Sequence, residues 1–147
     1  MNTKMIVAGV LGGVAFFLLG WLIWGIVLMD MMSQYSNASC MKPEAEMNMM
    51  YMVIANLIWG FAFAYIFSNW SGAKSFSSGL VPGAIISVLI GVSFDLYSLA
   101  MTTMMTSTTP VFINIAANIV VGGIVGGLIC WWLGRGSGGS RGSGVAG

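Results

Sequence analysis

The stretch that decides the fold is residues 83–98, which read GAIISVLIGVSFDLYS. Almost all of it is apolar, yet an aspartate stands well inside the run. On a helix, the small and polar residues fall on one side and bulky aliphatic residues largely cover the other. That small and polar side is formed by Gly83, Ser87, Gly91, Asp95 and Ser98. Small residues let a neighbouring helix approach closely, and a carboxylate at this depth needs a partner, water or a proton. The stretch therefore predicts a membrane helix with one face turned toward other helices.

The composition of the whole chain agrees with a membrane protein. The 147 residues are 58% hydrophobic and only 6% charged, with a mean hydropathy of +0.93, whereas a soluble domain carries about 25% charged residues. We therefore expect the lipid bilayer to be the main partner of the chain. The net charge is +1 without a basic cluster, which predicts no binding to nucleic acid. The chain also has no histidine, so it lacks the commonest general base and metal ligand.

Four apolar segments are long enough to cross about 30 Å of hydrocarbon. They cover about residues 6–29, 47–68, 80–104 and 110–134. The first is too long for a cleaved signal peptide. Residues 43–46, Pro-Glu-Ala-Glu, predict the start of the second helix, because proline suits a first turn and acids favour the positive end of the dipole. The sequence thus predicts one all-α domain over residues 1–134, a four-transmembrane-helix bundle with up-down-up-down topology.

The ends of these segments predict the orientation. Four basic residues belong to one side of the membrane if the spans alternate, namely Lys4, Lys74, Arg135 and Arg141, and the opposite side has one lysine. The positive-inside rule therefore places both termini in the cytoplasm. Residues 135–147 have the composition of a flexible Gly/Ser linker, whether natural or left over from recombinant expression, and cannot build a core.

Several polar residues are expected at one depth in the bundle. Counted from the predicted outer ends at about 1.5 Å per residue, Asp95, Asn56 and Asn118 lie roughly 12–14 Å deep. The predicted polar layer consists of Asp95, Asn56, Asn118, Trp24, Trp21 and Ser98. In one interpretation Asp95 bonds Asn56 or Asn118 and only fixes the bundle. In the other, the layer is a proton- or ion-responsive site in a small transporter or channel.

Glycines at helical spacing predict where the helices pack. Pairs such as Gly9 with Gly13 and Gly122 with Gly126 match the small-xxx-small pattern of membrane helix interfaces. The predicted packing set comprises Gly9, Gly13, Gly60, Gly83, Gly91, Gly122 and Gly126.

The region between the first two spans is rich in methionine. Thioethers and a thiolate suit Cu(I), so Cys40, Met41, Met31 and Met32 are candidate ligands for a soft metal. The alternative is that methionine serves here as a flexible apolar residue at the membrane boundary. No nucleophile–base pair and no two carboxylates at one depth occur in the sequence, which predicts a protein without enzymatic activity or cofactor.

The chain resembles a group of small four-helix membrane proteins of Bacteroidetes-type bacteria that are grouped as a domain of unknown function. The resemblance covers residues 1–134. It rests on GWLIWG at 20–25, NLIWG at 56–60, the Ser/Gly-rich linker before residues 83–86, Asp95 and the Gly-rich last helix. It implies a multi-pass protein of the bacterial inner membrane and carries no activity with it.

Two functions are open from the sequence. The first is a small transporter or channel with its polar layer around Asp95, for which we expect a homo-oligomer because four spans enclose little room. The second is a structural or interaction protein whose helices bind one another or a partner.

Overall fold

The computed structural model describes residues 3–40, 42–72 and 74–135. Its α-helices are α1 (Thr3–Leu22), α2 (Met29–Ser33), α3 (Met49–Ile66), α4 (Phe76–Met101) and α5 (Thr109–Gly134). π-helical turns continue α1 over Ile23–Val27 and α3 over Phe67–Ser71, and short 3-10 turns cover Ala38–Cys40 and Glu44–Glu46. Four of these helices, α1, α3, α4 and α5, are long and apolar enough to cross a membrane. The described chain is therefore an all-helical bundle with four candidate spans.

The four long helices form two closely packed pairs. Helix α1 packs on α3, α4 packs on α5, and α1 joins the pairs by packing on α5. Each of these contacts is antiparallel, since residues early in one helix face residues late in the other. By contrast, α3 and α4 barely touch. The spatial order is thus α3, α1, α5, α4, with a gap between the two outer helices.

Small residues bring the paired helices into backbone contact. A Cβ added to Gly83 on α4 would meet the carbonyl oxygen of Gly122 and lie 2.9 Å from the Cα of Gly126 on α5. A Cβ on Gly60 of α3 would likewise meet the backbone of Gly9 and Gly13 on α1. The absence of a side chain at these positions is what allows each pair to close.

Two helices begin at positions other than those expected. The predicted start at residues 43–46 is wrong, because Glu44–Glu46 forms only a 3-10 turn and α3 begins at Met49. Asn48 supplies the cap, accepting bonds from the backbone N–H groups of residues 50 and 51.

Helix α4 begins at Phe76, four residues before the predicted span. Ser75 and Ser78 form a reciprocal capping box that starts it there, a local signal hidden inside a Ser/Gly-rich linker. As a result Pro82 lies in the second helical turn rather than in the first, where proline is tolerated best.

The loops at one end of the bundle are tied together. The backbone N–H of Asn37 donates to Met104 (2.9 Å), and that of Thr106 donates to Tyr35 (2.8 Å). The connection that follows Met101 is therefore paired with the chain after α2.

Basic residues gather at the other end. Lys4 donates from Nζ to the carbonyl oxygen of Leu133 at 3.0 Å, and the Arg135 guanidinium lies over the Trp131 ring at 4.7 Å. The backbone of Lys74 lies against Gly134. Arg141 and the predicted tail beyond residue 135 lie outside the described residues.

The apolar core fills the half of the bundle nearer Lys4. It includes Phe63, Phe67, Val125 and Ile129, all of them fully buried. The Phe63 ring meets the ring of Phe16 edge to face, with 5.0 Å between centroids. Buried polar residues lie toward the opposite end.

Candidate functional site

Asp95 is held between α4 and α5. Its side chain is only 5% exposed, and the amide nitrogen Nδ2 of buried Asn114 donates to both carboxylate oxygens, at 3.1 and 3.0 Å. The glycine seam is the backbone contact of Gly79 and Gly83 on α4 with Gly122 and Gly126 on α5, and its antiparallel register produces this pairing. Gly91 faces Asn118, so the position one turn further along α4 faces the position one turn earlier in α5. The carboxylate thus has a defined partner on the neighbouring helix.

Trp24 extends the contact to a third helix. Its indole Nε1 donates to Oδ1 of Asn114 at 2.9 Å, so the amide of Asn114 accepts on one side and donates to Asp95 on the other. Trp24 lies in the π-helical turn Ile23–Val27. Such turns are rare and occur frequently at functional sites. The chain Trp24–Asn114–Asp95 connects α1, α5 and α4.

A second set of polar contacts lies one turn deeper. Ser87 donates from Oγ to Oδ1 of Asn118 at 3.1 Å, and Nδ2 of Asn118 donates to the backbone oxygen of Asn114 at 2.9 Å. These bonds fix the Asn118 amide and link it to the residue that holds Asp95. We call the five residues Trp24, Ser87, Asp95, Asn114 and Asn118 the polar network.

A cavity of about 480 Å³ lies beside the polar network. All four long helices contribute to its wall. Its polar lining residues are Asn56, Ser87 and Asn118, and its aromatic ones are Phe16, Trp24, Trp59, Phe63 and Phe94. Asp95 is not part of the wall, but its partner Asn114 is hydrogen-bonded to two residues that are, Trp24 and Asn118. A ligand in the cavity would therefore contact the polar network without touching the carboxylate.

The predicted partner of Asp95 is wrong: Asn114 holds the carboxylate, and neither Asn56 nor Asn118 does. Asn56 donates to the carbonyl of Met52 in its own helix at 2.7 Å. Its backbone lies against Gly13 of α1. Gly13 precedes Trp24 by eleven residues, or roughly 16 Å of helix rise. Helix α3 begins deeper in the bundle than α5. Equal distances from the helix ends therefore do not place Asn56 at the level of Asp95.

The other two members of the predicted layer lie apart from the polar network. Trp21 is 56% exposed and its ring lies near Gly25, although a regular helix would place it on nearly the same face as Trp24. The π-helical turn that contains Trp24 changes the phase of α1 at this point. Ser98 is buried on α4, about one turn beyond Asp95, and its carbonyl accepts bonds from Thr102.

Asn114 is the residue that sequence reasoning passed over. It belongs to the same stripe of α5 as Asn118 and Gly122. The signal that identifies it is the register between stripes: aligning Gly83 with Gly122 and Gly126 in antiparallel fashion brings Asp95 opposite Asn114. The aromatic lining residues Trp59 and Phe94 carry no comparable signal, because exposed aromatic residues are ordinary in membrane helices.

The seven glycines of the predicted packing set all lie at contacts between helices. At each of them an added Cβ would fall within 3.0 Å of an atom on another helix. Gly12, Gly79 and Gly127 have equally close neighbours but were not among the predicted positions.

The candidate soft-metal ligands that the structure describes lie in the connection between α1 and α3. Cys40 is exposed, with its sulfur 3.7 Å from the Thr103 hydroxyl, and Met31 is also exposed. Met32 is partly buried, and Met41 lies outside the described residues. Within the described ranges, no three His, Cys, Asp or Glu side chains are grouped as a metal site would require.

Comparison with known proteins gives no match: no protein family, no curated protein and no solved structure is significantly similar to the chain.

Proposed function

We propose that this protein is a small, non-enzymatic transport protein of the bacterial inner membrane, in which a proton- or ion-responsive polar network around Asp95 acts on the neighbouring cavity. One observation carries the proposal. The buried carboxylate is hydrogen-bonded through Asn114 to Trp24, whose ring is part of the cavity wall. A change at Asp95 can thus be transmitted to the space where a substrate would lie.

The energetics of the acid favour a role beyond packing. A carboxylate at the centre of a membrane helix costs about 2.5–3.5 kcal/mol on insertion scales, which is an upper bound for Asp95, six residues before the end of α4 at Met101. Hydrogen bonds between membrane helices return about 0.6 kcal/mol each on average, so the two bonds from Asn114 offset only part of a cost of that size. An asparagine at position 95 could make similar contacts at lower cost. A carboxylate retained in spite of its cost is expected where its charge is used.

Asp95 is isolated from other charges. In the described part of the chain, every other charged residue lies near a helix end or in a connection between helices. The hydrogen-bonding groups that face Asp95 from α5 and α1, Asn114 and Trp24, are neutral. Protons or cations are therefore the species to which this carboxylate can respond directly.

The hydrogen bonds define how such a response would spread. An ionised Asp95 accepts from Nδ2 of Asn114, which leaves Oδ1 of Asn114 free to accept from Trp24. A protonated Asp95 gains an O–H that must find an acceptor, and Oδ1 of Asn114 belongs to the amide that already contacts the carboxylate. Protonation then competes with the Trp24 indole for the same oxygen and loosens a ring in the cavity wall.

The proposed orientation follows from the basic end of the bundle. Lys4, Lys74 and Arg135 gather there, so the positive-inside rule assigns that end, with both termini, to the cytoplasm. The resemblance to small bacterial four-helix proteins agrees with this location. Because the apolar core fills the cytoplasmic half, a continuous path across the membrane would need a second copy of the chain, and we propose a homo-oligomer.

The test measures proton flux through the purified protein in liposomes. Proton entry under a potassium diffusion potential would be followed with a trapped pH-sensitive dye, first alone and then with an inward sodium gradient. We expect uptake with the unaltered chain and uptake no faster than in protein-free vesicles with Asp95→Asn, which keeps the size of the side chain and removes its charge. Asp30→Asn, in the exposed outer connection, is the control and should leave the flux unchanged.

The rival assignment is a structural or interaction protein, in which the polar network only fixes the helices. It predicts no flux under any gradient, together with ordinary folding of both variants. Flux that survives Asp95→Asn would contradict the proposed part played by the carboxylate.

A further inference from the structure

The cavity beside the polar network has a composition that defines what it can hold. Its volume of about 480 Å³ lies within the range of about 300–1,000 Å³ that is typical of sites for drug-sized ligands. None of its lining residues is charged. An ion placed there would lose its hydration without gaining an opposite charge, which is strongly unfavourable. The wall therefore favours an uncharged ligand.

The aromatic residues give the cavity flat, rigid sides. Phe63 is almost fully buried and is held edge to face by Phe16, so its ring has little freedom to move. Trp24 is fixed through its indole N–H to Asn114. Aromatic faces prefer offset or edge-to-face contact with another ring. A ligand with a planar ring would fit these surfaces better than a flexible acyl chain.

The polar lining residues can bond oxygen atoms of such a ring. Ser87 and Asn118 bond each other, which fixes the directions of their remaining lone pairs and N–H group. Asn56 uses one N–H on the carbonyl of Met52. Its second N–H and its amide oxygen have no partner in the described part of the chain, so Asn56 can both donate to and accept from a ligand.

The route into the cavity lies between α3 and α4. These helices barely touch, and each contributes an aromatic residue that both lines the cavity and is exposed. Trp59 on α3 is 42% exposed and Phe94 on α4 is 67% exposed. In a bilayer this gap faces acyl chains, so a ligand can enter from the lipid and leave an apolar tail there.

We infer that the cavity binds an uncharged, lipid-soluble molecule with a planar ring that carries carbonyl or hydroxyl oxygens, entering from the bilayer between α3 and α4. This inference rests on the proposed function, since it names the class of substrate that the transport protein would carry. Asn56 serves as a specificity residue for the ring oxygens.

Binding can be tested with decylubiquinone, an uncharged ring with carbonyl oxygens and an apolar tail. Quenching of tryptophan fluorescence in nanodiscs separates a saturable component, due to a site, from linear quenching by probe dissolved in lipid. We expect a saturable component that tetraphenylphosphonium, an aromatic cation, does not displace. Displacement by the cation, or quenching that is linear throughout, would overturn the inference.

Two variants locate the site. Gly20 lines the cavity, and a Cβ added there would lie 3.9 Å from the nearest atom, in Trp24. Gly20→Leu therefore fills the cavity without a clash at Cβ, and we expect it to abolish the saturable component. Val14→Leu, on the exposed face of the same helix, is the matched control and should bind normally. Asn56→Leu should weaken binding about fivefold, the loss expected for one net hydrogen bond.

The same preparations keep this inference distinct from the proposed function. Equal binding by Gly20→Leu and the unaltered chain would place the probe elsewhere and overturn the inference. Saturable quinone binding in a protein that conducts nothing would sustain the cavity assignment and refute transport. Asp95-dependent flux without quinone binding would refute only the ligand class. Nanodiscs of brominated lipid provide the remaining outcome: strong quenching that Gly20→Leu relieves would mean that an acyl chain occupies the cavity, which overturns the inference.

Discussion

The seam between α4 and α5 and the gap between α3 and α4 adjoin the same helix, α4, and Ser87 and Gly91 border both. At the seam, glycine and serine recur at helical spacing, and backbones meet with no side chain between them. At the gap, aromatic residues stand where a close contact would need small ones, and a cavity remains. In a bilayer, acyl chains are as apolar as the helices, so lipid would supply no hydrophobic force to close such a space. Side-chain size at the interface therefore decides which helices join and where a cavity remains.

The largest loss of stability is expected from a substitution at the glycine seam between α4 and α5. In Gly83→Ala the new methyl group meets the backbone of α5, which cannot move aside, so the free energy of unfolding should fall by about 3 kcal/mol. Reversible unfolding in mixed micelles measures the change. Gly123→Ala is the matched control on α5, because its nearest neighbour would be 3.4 Å away, and its effect should stay within about 0.5 kcal/mol. Equal losses in the two variants would mean that the seam does not have this register.

The next largest loss of stability is expected when Asp95, which the seam positions, loses its partner. Asn114→Ala removes the side-chain donor to a buried carboxylate, and such an unsatisfied group costs about 1–3 kcal/mol. Asn56→Ala, which breaks only a bond within its own helix, should cost less than about 0.5 kcal/mol. The same unfolding measurement compares the two amides. A larger loss for Asn56 than for Asn114 would favour the partner expected from depth alone.

A smaller loss of stability distinguishes Trp24, in the π-helical turn, from Trp21 in α1. Trp24→Phe keeps the ring in the cavity wall and removes the N–H that donates to Asn114, so we expect a loss of about 0.6–1.7 kcal/mol. Trp21→Phe changes an exposed ring and should leave stability unaltered. Hydrogen exchange of the two indole N–H groups, followed by NMR, checks the cause, because of these two protons only that of Trp24 should be protected. Similar protection of both indoles would contradict the phase change at the π-helical turn.

The sequence predicts the seam better than the site. The small and polar stripe of residues 83–98 contains four of the five residues that are buried on α4, Gly83, Ser87, Asp95 and Ser98, because one period of 3.6 residues governs both the pattern and the burial. The candidate spans likewise follow from length and hydropathy. What periodicity alone leaves open is which stripe faces which, and how far one helix is displaced along another.

The partner of Asp95 was missed for that reason. Depths counted from helix ends brought Asn56 level with Asp95, but α3 begins deeper than α5 and its backbone meets Gly13 far from Trp24. The π-helical turn at Ile23–Val27 also changes the helical phase of the side chains, and no residue in the segment predicts such a turn. Pairing the glycine stripes of α4 and α5 in antiparallel order would have identified Asn114, since a contact between backbones fixes axial position far more tightly than a helix end does.

A double-mutant cycle across the seam tests most directly whether Asp95 is held by Asn114. The free energies of unfolding of Asp95→Ala, Asn114→Ala and the double variant would be compared with that of the unaltered chain, with Asn56→Ala in place of Asn114→Ala as the second cycle. We predict a coupling of about 0.6–1.7 kcal/mol between Asp95 and Asn114, and additive effects for Asp95 with Asn56. Additivity in the first cycle, or coupling confined to the second, would contradict the account.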